Sequence, residues 1–218
     1  MNRPISVVLA DDHALVRSML RKQLDDEQDI RVVAVANDAD EAAAAAARLS
    51  PDVVVMDIDM PGTSCFEAAR TIRRTSPGTQ VLFLSAFFND AYIDQALAVA
   101  AAGFLTKSEP PESVTAAIRT AHAGGRHFSA EVKTRIVLEQ DGPRLCGAAR
   151  SRAATLSDRE LEVLRYIARG LSQKQIARLI HRSEGTIHKH SKNIMAKLAI
   201  HDRVELARFA IREGLAEA

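Results

Sequence analysis

Through the first 125 residues or so, short apolar runs alternate with amphipathic stretches in a regular order. Ile5–Ala10 is an unbroken apolar run ending at Asp11-Asp12-His13, and Ala14–Asp25 then carries Leu15, Val16, Met19, Leu20 and Leu24 at helical spacing. Arg31–Ala36 reads as a second strand, Asp38–Leu49 as an alanine-rich helix, Val53–Asp57 as a third strand and Phe66–Arg74 as the helix after it. Gln80–Ser85 and Phe104–Thr106 supply two more strands, with Ala91–Ala101 between them and Pro111–Ala123, opened by proline, behind. Five strand–helix units predict an α/β doubly wound, five-stranded parallel sheet with helices on both faces.

From His127 the period changes. Ser129–Glu139 is predicted to cap and form one more helix, and Gln140–Ala154, with no hydrophobic period, reads as a mobile linker. Ser157 then caps a helix with Glu160 three positions on, and Leu161, Val163, Leu164, Ile167 and Ala168 form its apolar face up to Gly170. Ser172–Ile180, a turn at His181–Ser183 and Glu184–Leu198 make a short helix, a tight turn and a longer basic helix, which is a helix-turn-helix pattern. Arg203–Arg212, with Val204, Leu206, Ala207, Ala210 and Ile211 apolar, adds a fourth helix to an all-α unit. The predicted division is 1–125, a helix and linker over 126–151, and 152–218.

Charge sharpens this division. The 218 residues carry a formal net charge of +1, yet residues 1–128 hold 12 Lys/Arg against 17 Asp/Glu, a net −5, and residues 129–218 hold 17 against 11, a net +6. The basic half points to a polyanionic partner, nucleic acid first. Met1–Asp12 is too short and too acidic for a secretory signal, and no stretch approaches the roughly 20 apolar residues of a membrane span, so a cytoplasmic protein with no membrane partner is expected. Cys65 and Cys146 lack metal-ligand spacing and read as reduced thiols.

Asp57 is the centre of the chemistry. An aspartate before a Pro-Gly turn would, alone, do no more than start that turn. Right-handed crossovers, however, bring the carboxyl ends of the strands to one rim, where Asp11, Asp12, Asp57, Ser85 and Lys107 converge. Crowded carboxylates are relieved by a hard divalent cation, Mg²⁺ above all, and a cation beside a carboxylate, a hydroxyl and an ammonium suits the holding of a phosphoryl group.

At these residues the chain resembles the receiver domain of two-component response regulators. The resemblance implies that Asp57 accepts a phosphoryl group, that Asp12, Asp57 and the backbone carbonyl of Asp59 bind Mg²⁺ with Asp11 acting mainly through water, and that Ser85 and Lys107 contact the phosphoryl oxygens. Phe104 falls at the switch aromatic. Cys65 replaces a usual glycine, which bears on the loop after Asp57, and Ser108 stands where many receivers have a proline in a cis peptide.

The stretch Leu156-Ser157-Asp158-Arg159-Glu160 to Lys197-Leu198, with Ile176-Ala177 and Ser183-Glu184-Gly185-Thr186-Ile187 between, resembles the LuxR-type DNA-binding domain; joined to a receiver, it looks like the NarL/FixJ subgroup of transcription regulators. That implies a phosphorylation-controlled DNA-binding regulator. His188, Lys189 and Lys192 would enter the major groove, and Thr186, Asn193 and Lys197 would hold phosphates. Implied partners are promoter DNA with paired half-sites, a cognate sensor histidine kinase, a second copy when phosphorylated, and RNA polymerase as a further candidate. Two other readings are weighed. One is a receiver that no longer uses phosphorylation. The other is a phosphatase, because Asp57-Ile58-Asp59 with Ser85 and Lys107 is also similar to the haloacid-dehalogenase type. There the second acidic pair should follow the lysine, and a cap domain is missing, so a non-enzyme is expected.

Overall fold

The computed structural model describes residues 3–60, 63–86, 89–139, 142–146 and 152–216. The chain divides into two compact units. The first holds its described residues up to Ala86 together with Ala96–Thr134, and the second holds those of Phe87–Gln95 and Arg135–Ala218.

In chain order the residues up to Lys133 form β1 (Ile5–Ala10), α1 (Ala14–Asp25), β2 (Ile30–Ala36), α2 (Ala39–Leu49), β3 (Val53–Asp57), α3 (Cys65–Thr75), β4 (Gln80–Ser85), α4 (Asp90–Ala98, its stretch up to Gln95 counted with the second unit), β5 (Gly103–Thr106), α5 (Pro111–His122), β6 (His127–Phe128) and α6 (Ala130–Lys133). The sheet order is β2-β1-β3-β4-β5-β6, and every pairing in it is parallel. The period of two sends Val7, Leu9, Val55, Leu82 and Leu84 into one core with Leu24, Ala117 and Ile118, while Phe83 faces the other way and lies 4.9 Å from the Phe66 ring. Every residue of β3 is buried. Both faces of such a strand are covered, so its sequence can be a plain Val-rich run.

The predicted parallel sheet forms, with six strands in place of five. His127–Phe128 pairs with Gly103 and Phe104, a two-residue extension too short to leave a periodic signature. Ser129 does cap a helix, accepting from the Val132 N–H at 3.4 Å, but that helix stops at Lys133. Ile136–Glu139 (β7) instead pairs antiparallel with Gly142–Leu145 (β8), so the predicted helix over Ser129–Glu139 and the predicted structureless linker are both corrected. The β-branched Ile136-Val137 pair favours the pleat over the helix. Residues 140–141 and 147–151 of that linker lie outside the described residues, and a 3-10 turn covers Arg152–Thr155.

Two other expectations need amendment. The helix predicted to reach Ala101 ends at Ala98, because Ala100 takes a left-handed φ of 51°, a stop that alanine does not announce. On α1 only Leu24 is buried, and Leu15 (73 % exposed) and Met19 (64 %) are open to solvent. Cys65 opens α3 and is buried, while Pro61 and Gly62 in the loop before it lie outside the described residues.

The second unit carries α7 (Asp158–Ala168), α8 (Gln173–Leu179), α9 (Glu184–Leu198) and α10 (Arg203–Arg212). The capping boxes of α7 (Ser157 with Glu160) and α8 (Ser172 with Gln175) are both closed. The core takes Leu161, Leu164, Ile176, Ile187, Ile194, Leu198, Leu206 and Phe209, whereas Val204 stays 65 % exposed. Among the described residues, no helix is long and apolar enough to cross a membrane.

Candidate functional site

The ends of β1 and β3, neighbours in the sheet, deliver two carboxylates to one place. Asp11 follows β1, its N–H bonded to the Ala36 carbonyl, and Asp57 closes β3 with a side chain out of solvent. Lys107, just past β5, spans them: Nζ lies 2.7 Å from Asp11 Oδ2 and 2.8 Å from Asp57 Oδ2. The Lys107 main-chain N–H donates to the Ser85 carbonyl at 2.7 Å, so β4 fixes where the lysine starts. Ser85 is fully buried at the end of β4, opposite Thr106 in register. Asp59 donates its N–H to Asp57 Oδ1 at 3.2 Å and is itself buried. Phe104, on β5 between Phe83 and Phe128, has no exposed surface.

Electrostatics reports the crowding. Burial, helped by the neighbouring Asp11 charge, pushes the Asp57 carboxyl up to about 6, although Lys107 and the Asp59 N–H pull the other way. Burial also works against the Lys107 ammonium, but Asp57 and Asp11 outweigh it and raise the lysine above its ordinary value. Donor atoms of Asp11, Asp12, His13 and Asp57 all lie within 4.8 Å of one another. The structure thus brings Asp11, Asp12, Asp57 and Lys107 together, with Ser85 at the end of the neighbouring β4 and joined to Lys107 through its main-chain carbonyl, and the oxygen-rich donor set fits a hard divalent cation. His13, a residue the sequence reading did not single out, joins them: its N–H donates to Asp11 Oδ1 at 2.8 Å and its Nδ1 lies 2.8 Å from Asp12 Oδ1. Its position directly after the acidic pair was the available signal. The side chain of Asp59 is not among those four donors.

On α9, Ile187, Ser191, Ile194 and Leu198 are buried, a helical stripe that leaves His188, Lys189, Lys192, Asn193 and Lys197 exposed on the remaining faces. Thr186 is half-buried at the N-terminus, its hydroxyl 2.9 Å from that of the capping Ser183. Lys197 differs from the other lysines, since its Nζ lies 2.6 Å from Glu160 Oε2. Lys174 and Arg178 of α8 and Arg182 of the turn are exposed cations that the sequence reading passed over, because α8 is short and its charges sit among core positions. His181 in that turn holds a φ of 51°, and its neighbour's N–H, from Arg182, returns to the Ala177 carbonyl.

A parallel sheet with a lysine-bridged acidic rim, followed by a helix-turn-helix, has the two-part build of a receiver-type module joined to a DNA-binding-type module. Comparison with known proteins agrees. Residues 7–119 match the response regulator receiver domain family, and residues 154–210 match the family of bacterial regulatory proteins, luxR family. Response regulator UvrY of Escherichia coli (strain K12) is 33% identical over 214 residues, 98% of this chain and 97% of that one. Transcriptional regulatory protein LnrK of Bacillus subtilis (strain 168) is 33% identical over 216 residues, 97% of this chain and 98% of that one. Among solved structures, RcsB from Salmonella enterica serovar Typhimurium, bound to promoter P1flhDC in the presence of phosphomimetic BeF3-, superposes with a TM-score of 0.69 at 25% identity, covering 95% of this chain and 98% of that one. The chain belongs to the response regulators that join a receiver domain to a LuxR-type DNA-binding domain, the NarL/FixJ type. It is a DNA-binding transcriptional regulator of the two-component class, controlled through its receiver.

Proposed function

We propose that Asp57 is the phosphoacceptor. The observation that carries this reading is the Lys107 ammonium bridging Asp11 and Asp57 at the carboxyl end of a wholly buried strand. A carboxylate oxygen of Asp57 attacks the phosphorus of a phosphohistidine on a sensor kinase. The P–N bond breaks as the aspartyl P–O bond forms, and the histidine leaves with the electron pair. Lys107 and the Ser85 hydroxyl then meet the new phosphoryl oxygens, and Phe104 packs as the aromatic whose surroundings change with that charge.

Asp12, Asp57 and the carbonyl of Asp59 would hold Mg²⁺, with Asp11 acting through water. Bound there, the cation supplies neutralisation of phosphoryl charge. The protein turns over no substrate of its own on this reading. It works in the cytoplasm, where its DNA lies.

For the second unit, His188, Lys189 and Lys192 are assigned to the major groove, with Thr186, Asn193 and Lys197 on phosphates; Arg178 and Arg182 extend the cationic surface along the first helix and turn. A homodimer formed on phosphorylation would read two half-sites about one helical turn apart. RNA polymerase is the partner through which transcription would respond. The domain limits that fit these roles are 1–125 and 152–218, joined by 126–151.

The test is intact-mass spectrometry after incubation with a phosphohistidine kinase or a small acyl-phosphate donor. One labile phosphoryl adduct is expected with Mg²⁺ and none in Asp57→Asn; an adduct that persists in that variant overturns the assignment.

A further inference from the structure

The imidazole of His13 is placed where an ion gathering the pocket's oxygens would meet it. Lys107 engages the Oδ2 atoms of Asp11 and Asp57. The opposite oxygen of Asp11, Oδ1, and Oδ1 of Asp12 lie 3.4 and 2.8 Å from His13 Nδ1. The backbone holds this arrangement, since the His13 N–H is bonded to the same Asp11 Oδ1. His13 is also the N-cap residue of α1, yet its side chain makes no capping hydrogen bond, so helix formation does not account for where the ring points.

An exposed histidine on an aspartate is, by itself, an ordinary surface pair of small consequence. The distances here say more. Two donors on opposite sides of one ion, each at about 2.1 Å, are about 4.2 Å apart. The donor atoms of Asp12, His13 and Asp57 already fall within 4.8 Å of one another, so small side-chain adjustments close these three round a single cation, with Asp11 reaching it through water.

We propose that His13 is a metal ligand, which makes the pocket a mixed oxygen–nitrogen site that takes borderline dications such as Mn²⁺ and Co²⁺ more tightly than Mg²⁺. The inference rests on the pocket being the receiver's divalent-cation site. Imidazole nitrogen adds affinity for first-row transition metals, whereas Mg²⁺ favours oxygen and retains its waters. One pocket would then answer to two classes of ion, and the identity of the ion would depend on its supply.

The experiment loads the full chain with one equivalent of Mn²⁺, establishes that excess Mg²⁺ displaces it, and records electron spin-echo modulation from directly coupled ¹⁴N. Coupling is expected in the wild-type chain and absent in His13→Ala. Calorimetry should show the Mg²⁺-competed Co²⁺ site weakened by about tenfold or more in His13→Ala, the scale on which single changes around a metal act, with Mg²⁺ affinity little altered. Mg²⁺-displaceable Mn²⁺ without nitrogen coupling overturns the role of His13 and leaves the oxygen pocket standing. Coupling that survives in His13→Ala belongs to another histidine and overturns it equally. If no Mn²⁺ is displaced by Mg²⁺, the cation reading of the pocket falls together with the inference.

Discussion

Lys197 Nζ sits 2.6 Å from Glu160 Oε2, and the same carboxylate oxygen accepts from the N–H and the hydroxyl of Ser157. The C-terminal turn of α9 is therefore tied to the N-cap of α7. A lysine already paired with a carboxylate neutralises less phosphate than a free one. Lys189→Ala and Lys192→Ala should each flatten the salt dependence of DNA binding by about one counterion, and Lys197→Ala by clearly less. Binding isotherms across a salt series check the order; an equal slope for Lys197→Ala would show that DNA displaces Glu160.

Glu160→Ala removes a closed capping box and one end of that tie, so the second unit should lose about 0.5–2 kcal/mol in denaturant melts. Burial pushes the Glu160 carboxyl up, but Lys197 and the Ser157 donors more than offset it, and the net shift is downward. A lowered carboxylate contributes stability above its unfolded value that is lost as pH falls through the folded one. The penalty of Glu160→Ala should consequently shrink in acid.

His190 shifts in the opposite sense. Burial, with Arg159, Lys189 and Arg182 nearby, lowers it despite the pull of Glu160. The unfolded chain then binds the proton more readily than the folded one, so stability rises with pH through the histidine range and falls on acidification below it. Histidine-resolved NMR titration should place His190 below an ordinary imidazole, and His190→Gln should flatten this limb of the pH–stability curve.

Lys107→Ala leaves Asp57 buried beside Asp11 with no ammonium. Stability should fall by up to about 3 kcal/mol, limited by protonation of Asp57, and a divalent cation should restore part of it. Phosphoryl transfer to Asp57 should continue in this variant while output stops responding, since on the proposed reading the lysine would sense the group only after it arrives. Parallel mass spectrometry and DNA-binding titrations separate the two effects.

Ala199 closes α9 with φ 49°, a left-handed position that favours glycine. Ala199→Gly should stabilise the second unit by about 0.5–1 kcal/mol, with the gain partly offset by the freer unfolded chain. Thermal melts of the two chains test this.

Most of the sheet, and the meeting of Asp11, Asp12, Asp57 and Lys107 at one rim, was legible in the sequence because each strand is a short apolar run that stops at a polar residue, and a parallel topology sends those stops to one edge. The α9 faces were legible for the same kind of reason: Ile187, Ile194 and Leu198 mark the buried stripe, and the rest follows by geometry. Features set by tertiary pairing were not. His127–Phe128 is too short to show a period, Ile136–Glu139 forms its strand by pairing with Gly142–Leu145, and Leu15 and Met19 lie at helical spacing yet stay in solvent. His13 carries no such signal, because a polar residue after an acidic pair reads as part of a turn, and it is the folded chain that sets its ring on the Asp12 carboxylate.

The closed packing of β3 has a mechanical consequence. The strand is hydrogen-bonded on both edges and buried along its whole length. Shifting it would uncover Val53, Val54, Val55 and Met56, at a cost of roughly 1.5–3 kcal/mol for each side chain exposed. Asp57 therefore rides on a stator. Were a doubly charged group added there, as proposed above, the adjustment would fall on the lysine past β5 and the acidic turn after β1. On that reading the signal would lie in the displacement of these neighbours around a fixed point.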